Sequence, residues 1–396
     1  MNVLPGPLVG CEVPPAFAPS QLAFGKDCLL RAVLGSNRDL PALNAHPTAE
    51  LGRVFHKLLE MAVRGEISRE GSTAHDAERV LERLLEEGDA RLAKTFPTEP
   101  PRLRELFPPL VWRRKRRLAL DLAERYLSGD VPRVTGGSGG SRNARDMPVN
   151  ASWSEVRLEA AELRLAGQAD LIQRQAGDVV IRDLKTGRAL TSEGDVLPHI
   201  ERQMRLYGTM AHSVWPNARV KLVIDDGTER EIAFEPEQQA EVLKWLREVL
   251  DRLPANHVVA TTALADPGQA CEGCAHRHLC PAYRTSAPEY WRRDASVRMP
   301  LDTWGEVVRT VEGPDGRLDV TLNDAAERTV KIFGLVSVGP RAFAPGDKVW
   351  LFGLRTRDRR GGPEEWRHPH NFFEVADDDP FARAWTLASF VEAVAT

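Results

Sequence analysis

Apolar residues recur at helical spacing in three early stretches of the chain. Leu51, Val54, Phe55, Leu58, Leu59 and Ala62 fall three or four apart within 47–65, which predicts one apolar helix face there. Residues 74–93 (AHDAERVLERLLEEGDARLA) and 102–128 predict two further amphipathic helices. The period then shortens, and 155–185 reads as strands, with a hairpin from 163–172 to 178–185. A helix over 195–214 and a strand over 218–224 follow. Asp226-Gly227 signals a turn into 229–234, and Pro236 opens a helix over 236–252. Beyond 297 the texture changes again. WGEVVRTV, RLDVTLN, RTVKIFGL, DKVWLFGLRTR and NFFEV alternate and are separated by turn signals, which predicts a small all-β barrel.

These patterns divide the chain. Residues 1–19 form an extended Pro- and Gly-rich start, and 20–290 form an α/β domain with a helical insert at about 70–145. Within that insert VTGGSGGSRNARD (134–146) reads as a flexible loop. Residues 297–378 are the barrel and 379–396 a tail. PGDKVWLFGL (345–354) resembles a strand of OB-fold domains, which bind single strands through a groove with stacking aromatics; Trp304, Trp350, Phe352, Trp366 and Phe372 are available.

Composition narrows the classes. The 396 residues are 42% hydrophobic and 28% charged, a globular balance. No apolar run is long enough for a membrane span, and MNVLPGPLVGCEVPPAF lacks the basic and apolar regions of a signal peptide. The expectation is a cytoplasmic protein without a membrane partner. Net charge is −4, so any attraction to nucleic acid must be local. Arg113, Arg114, Lys115, Arg116 and Arg117 are the densest basic run, either a solvated helix face or a face that contacts phosphates. The chain contains no G-x-x-x-x-G-K, so no P-loop motor is expected.

Two clusters carry chemistry. The proposed hairpin brings Asp170 beside Asp183, and strand alternation projects Asp183 and Lys185 together with Leu184 turned inward. Two carboxylates and a lysine suit a hard divalent cation and metal-assisted attack on a phosphodiester. Glu159 and Glu162 precede the site as accessory acids or solvated residues. Of the five cysteines, Cys271, Cys274 and Cys280 crowd into one loop. With Cys28 far upstream they make four thiolates, and spacing alone leaves zinc and iron–sulfur equally open, His276 and His278 being further zinc ligands. Cys11 reads as a free thiol.

Four pieces in order, GRVFH (52–56), GQAD (167–170), IRDLKTG (181–187) and QMRLY (203–207), resemble the PD-(D/E)XK nuclease superfamily, specifically its RecB-like branch. The resemblance implies a restriction-endonuclease-like core, a central mixed sheet flanked by helices. It implies that His56, Asp170 and Asp183 ligate Mg²⁺ or Mn²⁺ with the Leu184 carbonyl. Lys185 would position or activate the attacking water, while Gln203 and Tyr207 would support the site and the DNA backbone. One cysteine before these motifs and three after resemble the iron–sulfur members of that branch, such as the AddB nuclease domain and the CRISPR-adaptation nucleases. That likeness implies a 4Fe-4S cluster on Cys28, Cys271, Cys274 and Cys280. The expected function is a metal-dependent DNase acting on single-stranded DNA or DNA ends, in repair, recombination or phage defence. The alternative is a catalytically silent DNA-binding scaffold. A separate helicase or ATPase subunit is the expected protein partner.

Overall fold

A computed structural model describes residues 6–37, 39–43, 47–67, 73–95, 102–128, 142–185, 187, 189–253, 258–285, 301–314, 318–324, 329–335, 344–354, 371–374 and 392–393. Their elements run in this order: β1 (Gly10–Glu12), α1 (Pro19–Leu22), α2 (Leu29–Ser36), α3 (Pro47–Arg64), α4 (Thr73–Thr95), α5 (Pro109–Ser128), β2 (Arg142–Asn143), β3 (Ala151–Ala160), β4 (Leu165–Gln175), β5 (Asp178–Leu184), α6 (Pro198–Val214), β6 (Arg219–Asp225), β7 (Glu229–Ile232), α7 (Pro236–Leu250), β8 (Val258–Ala260) and α8 (Thr261–Leu264). Strands β9 (Leu301–Glu312), β10 (Leu318–Asp324), β11 (Thr329–Leu335), β12 (Lys348–Leu354), β13 (Asn371–Glu374) and β14 (Glu392–Ala393) complete it.

The central sheet has the order β2-β3-β4-β5-β6-β7. β3, β4 and β5 form an antiparallel meander, whereas β5 and β6 are parallel. A parallel pair needs a crossover, and α6 provides it. This is an α/β fold with a mixed sheet between two helical layers. On one face α6, α7, α1 and α2 bury Met204, Leu206, Leu246, Leu22 and Leu29 against Val156, Leu158, Ile181 and Leu222. On the other, α3, α4 and α5 pack Phe55, Leu58, Leu59, Leu85 and Leu122 together with Leu171 and Leu184 of the sheet. A fully buried side chain of this kind contributes about 1.5–3 kcal/mol. α5 is pinned by charge as well: Arg125 and Tyr126 donate to buried Asp225 of β6 at 2.7 and 3.2 Å.

The N-terminal segment is tied down rather than simply extended. β1 pairs with β8, Cys11 opposite Val259, and the Leu8 N–H donates to the Leu279 carbonyl at 2.9 Å. Of the loop expected over 134–146, the described residues 142–146 take up regular structure. Arg142–Asn143 pairs with β3 and Asn143 caps a short turn over Ala144–Asp146. The helix expected over 102–128 begins at Pro109, after a separate turn at Leu103–Glu105, because proline at 108 and 109 breaks the ladder.

The five C-terminal strands read from alternation all form, but closure into a barrel does not follow. The described strands pair antiparallel in the open order β13-β12-β9-β10-β11-β14. Trp350 and Phe352 stack on each other at 4.9 Å and are fully buried, which removes them as base-stacking platforms. Trp366 lies outside the described residues, and the side chains of Trp304 and Phe372 are not described.

Candidate active site

The two helical layers meet at β4 and β5, and the polar site forms there. The β4–β5 register puts Leu171 opposite Arg182 and so brings Asp170 level with Asp183. Asp170 Oδ2 accepts from the Leu184 N–H at 2.8 Å, which fixes that carboxylate against the end of β5. From the α3 layer His56 places Nδ1 3.8 Å from the same oxygen. From the α6 layer Gln203 donates Nε2–H to Asp183 Oδ1 at 3.2 Å. Lys185 Nζ lies 2.8 Å from Asp183 Oδ2.

Tyr207 plays a supporting part. It is buried, and its hydroxyl donates to the Gln168 carbonyl at 2.7 Å, tying α6 to β4. Gly167 allows that approach. A Cβ there would lie 2.7 Å from the Pro19 side chain and 3.1 Å from the Tyr207 ring. The glycine of GQAD is therefore a packing requirement at the base of the site.

Burial, then the neighbouring Asp183 charge, pushes the Asp170 carboxyl up to about 6; His56, the Leu184 N–H and Lys185 oppose the shift. Burial alone would lower Lys185, but Asp183 and Asp170 outweigh it and raise the ammonium. Lys185 is thus held as a cation, suited to stabilising negative charge. Two carboxylates that repel each other in a half-buried pocket form a donor set a divalent cation relieves. Among the described residues, no three His, Cys, Asp or Glu side chains already converge as a cage for one metal ion.

One acid escaped the sequence reading. Glu155 of β3 sits across from Asp170, between the pairs Ser154–Leu171 and Val156–Ala169. It holds a left-handed backbone, φ 53°, unusual for a non-glycine residue in a strand. Its carboxylate accepts from Gln168 Nε2 at 2.6 Å, and burial, then Asp170 and Glu60, raises it to about 7. Pairing the 155–160 and 165–170 alternations would have found it. Glu159, by contrast, is exposed beside Arg157, and Glu162 lies in an exposed turn.

A cleft of about 360 Å³ opens beside the carboxylates, lined by Glu155, Gln168 and the α3 residues Arg53, His56, Lys57, Glu60 and Arg64. The basic run of α5 does not line it. Arg116 is paired with Glu78 and lies 3.7 Å from Glu82, Arg117 lies 3.4 Å from Asp121, and Lys115 sits over the Phe107 ring.

The cysteines gather elsewhere. Cys28, at the N-cap of α2, lines one cavity with Cys271, Cys274 and Cys280, all buried free thiols, as is Cys11 apart from them. Burial holds Cys271 and Cys280 up at about 12 and raises Cys274. Arg31 donates to the Ala270 carbonyl at 2.9 Å and carries its charge toward Cys274, Cys28 and Cys271. Behind the loop, Arg277 makes a two-pronged pair with buried Asp302 of β9 at 2.6 and 2.9 Å, and Tyr283 donates to the same carboxylate at 2.5 Å.

Two acids and a lysine at adjoining strands of a mixed sheet form an arrangement suited to a divalent cation and to metal-assisted attack on a phosphodiester. A family model of the PD-(D/E)XK nuclease superfamily matches residues 16–281, and the chain belongs to that superfamily. The family implies nuclease chemistry with divalent metals such as Mg²⁺, and suggests DNA as substrate. None of the curated proteins matches the chain. A solved structure titled "Crystal structure of SSO0001" is similar over 58% of this chain and 96% of its own, at 13% identity and a TM-score of 0.23. No helix among the described residues is long and apolar enough to cross a membrane.

Proposed function

We propose that this protein is a Mg²⁺- or Mn²⁺-dependent deoxyribonuclease acting on single-stranded DNA or DNA ends, in DNA repair, recombination or phage defence. The observation that carries the reading is the meeting of Asp170, Asp183, Lys185, His56 and Gln203, from four separate elements, beside a cleft that His56 lines. Asp170 and Asp183 would hold the cation, with His56 and the Leu184 carbonyl completing its ligands. When bound, the metal neutralises phosphate charge and lowers the pKa of its water. Gln203 orients Asp183, and Tyr207 keeps β4 in place. Lys185, already cationic, stabilises charge developing on the phosphate.

The cysteine cavity is read as the seat of a 4Fe-4S cluster that staples the ends of the domain. Four buried thiols lining one cavity beside Arg31 and Arg277 suit an anionic thiolate-bound group. A helicase or ATPase subunit would deliver the strand.

The deciding experiment incubates the protein with end-labelled single-stranded and duplex DNA and Mn²⁺. Cleavage by wild type and its loss in Lys185→Ala and Asp183→Ala, each still folded by circular dichroism, are expected. DNA binding without cleavage by wild type would replace the nuclease with the scaffold. Freshly purified protein should be brown and carry iron; colourless protein with stoichiometric zinc would replace the cluster.

A further inference from the structure

We infer that the polar stripe of α3, and not the basic run of α5, is the track on which the strand to be cut lies, with Arg53 and Lys57 binding neighbouring phosphates of single-stranded DNA. The inference deepens the nuclease reading and rests on it.

The stripe follows from helix geometry. Arg53, Lys57, Glu60 and Arg64 fall four, three and four residues apart, so they share one face. The opposite stripe is buried by Leu51, Val54, Phe55, Leu58, Leu59 and Ala62. His56 belongs to the cleft-lining set and stands nearest Asp170, so the row leads into the carboxylates. Arg53 and Lys57 are about 6 Å apart along the helix axis. Their side chains are 65% and 44% exposed, which leaves both within reach of a polymer.

Both cations already have carboxylate partners, and those partners do not remove them. Lys57 pairs with Glu60 at 2.8 Å, and Glu60 also takes Arg64 at 2.7 Å. Arg53 pairs with buried Glu50, which also takes Arg91 at 2.8 Å. In each pair the cation is the exposed member, and each carboxylate has a second cation to keep it satisfied. When Arg53 or Lys57 turns to a phosphate, Glu50 keeps Arg91 and Glu60 keeps Arg64. The pairs thus pre-position the row and prevent an uncompensated buried charge. Arg64 is less available, because its Nε also donates to Ser154 Oγ at 3.0 Å. A cleft of about 360 Å³ admits a nucleotide-sized segment.

The α5 run faces other work. Trp112 stacks on Phe55 at 6.4 Å, on the buried side of α3, which puts the start of α5 behind that helix as seen from the cleft. Arg116 and Arg117 are engaged with α4 and with their own helix.

The test measures binding of a labelled single-stranded oligonucleotide by fluorescence anisotropy across a salt series, in a Lys185→Ala background so that no strand is cut. Arg53→Gln/Lys57→Gln should weaken binding and lower the slope of log K against log salt by about 1.4, or about 0.7 per lost phosphate contact. Arg53→Lys should retain most of the slope, which a purely structural role would not predict. An unchanged slope in the double variant overturns the inference, as does a larger loss in Arg113→Ala/Arg114→Ala. Cleavage by wild type decides the nuclease reading separately: a cutting enzyme whose slope ignores Arg53 and Lys57 keeps that reading and loses this track. Unfolding of the double variant, seen by circular dichroism, would move the test to the single Lys57→Gln, with an expected slope change of about 0.7.

Discussion

The carboxylate pocket and the cysteine pocket both gather residues that lie far apart in the chain, yet they are built on opposite terms. The first brings together His56 of α3, Asp170 of β4, Asp183 and Lys185 around β5, and Gln203 of α6, beside a cleft that His56 lines. Its two acids repel each other. The second buries four thiols and is closed from behind by C-terminal strands, with Arg277, Tyr283 and Asp302 satisfied in a sealed network. Like charges left partly solvated are a cost to the fold that a ligand can remove. A sealed, satisfied network is a joint, and breaking it leaves groups with no water to turn to. One pocket is built for exchange, the other for permanence.

Several changes should break or sharpen this contrast. The largest effect is expected at Cys28→Ser, which removes the one thiol that the N-terminal segment contributes to the cavity with Cys271, Cys274 and Cys280. If the thiols share a metal group, stability falls by several kcal/mol, roughly 10 °C in Tm for a domain of this size, and visible absorbance is lost. An unchanged melting curve would make Cys28 an ordinary buried thiol. Next comes Asp302→Ala. It strands a buried guanidinium and a buried phenol, at about 3–5 kcal/mol by urea denaturation, and hydrogen exchange should speed up in β12. Paired replacement by Arg277→Met and Asp302→Leu should recover much of that loss.

At the carboxylate pocket the effect on stability is smaller. Asp183→Asn removes the repulsion on Asp170 along with the Lys185 partner, two effects of opposite sign, so the protein without divalent cation should lose far less stability than Asp302→Ala costs, while cleavage is lost. The smallest expected effect is in pH. Asp170 is protonated in the fold up to about 6, whereas the unfolded chain has released that proton near 3.9. The native state then binds more protons between those values, so this contribution to stability declines as pH rises from about 4 to about 6. Divalent cation should reverse the trend by displacing the proton. Calorimetry with and without Mn²⁺ across that range checks both signs, and a flat profile in wild type would remove the coupling of Asp170 to Asp183.

Much of this was legible in the chain. The 3.6 period placed α3, α6 and α7, and alternation placed β4, β5 and all five C-terminal strands, because burial of one face imposes a period on the residues that form it. Asp170, Asp183 and Lys185 could be brought together on paper because a hairpin links them locally. Other placements were not legible. Glu155 depends on the β3–β4 register, and its unusual backbone leaves no mark on the residue string. The Arg113–Arg117 run could be a solvated face or a phosphate face because density of charge was visible and direction was not. The order in which the described C-terminal strands pair was not legible either, because alternation is the same in a sheet and a barrel.

The sequence by itself determined the elements, their buried faces and the residue types of both pockets, since these follow from short-range periodicity and from the chemistry of each side chain. Only the tertiary structure decided which cations face the cleft, which acid stands across from Asp170, and that Trp350 and Phe352 lie buried by the cysteine loop. Those outcomes depend on how helices and sheets pack between residues far apart in sequence. Packing is set by the sum of many weak apolar contacts and a few sealed polar ones, none of which leaves a periodic trace in the chain.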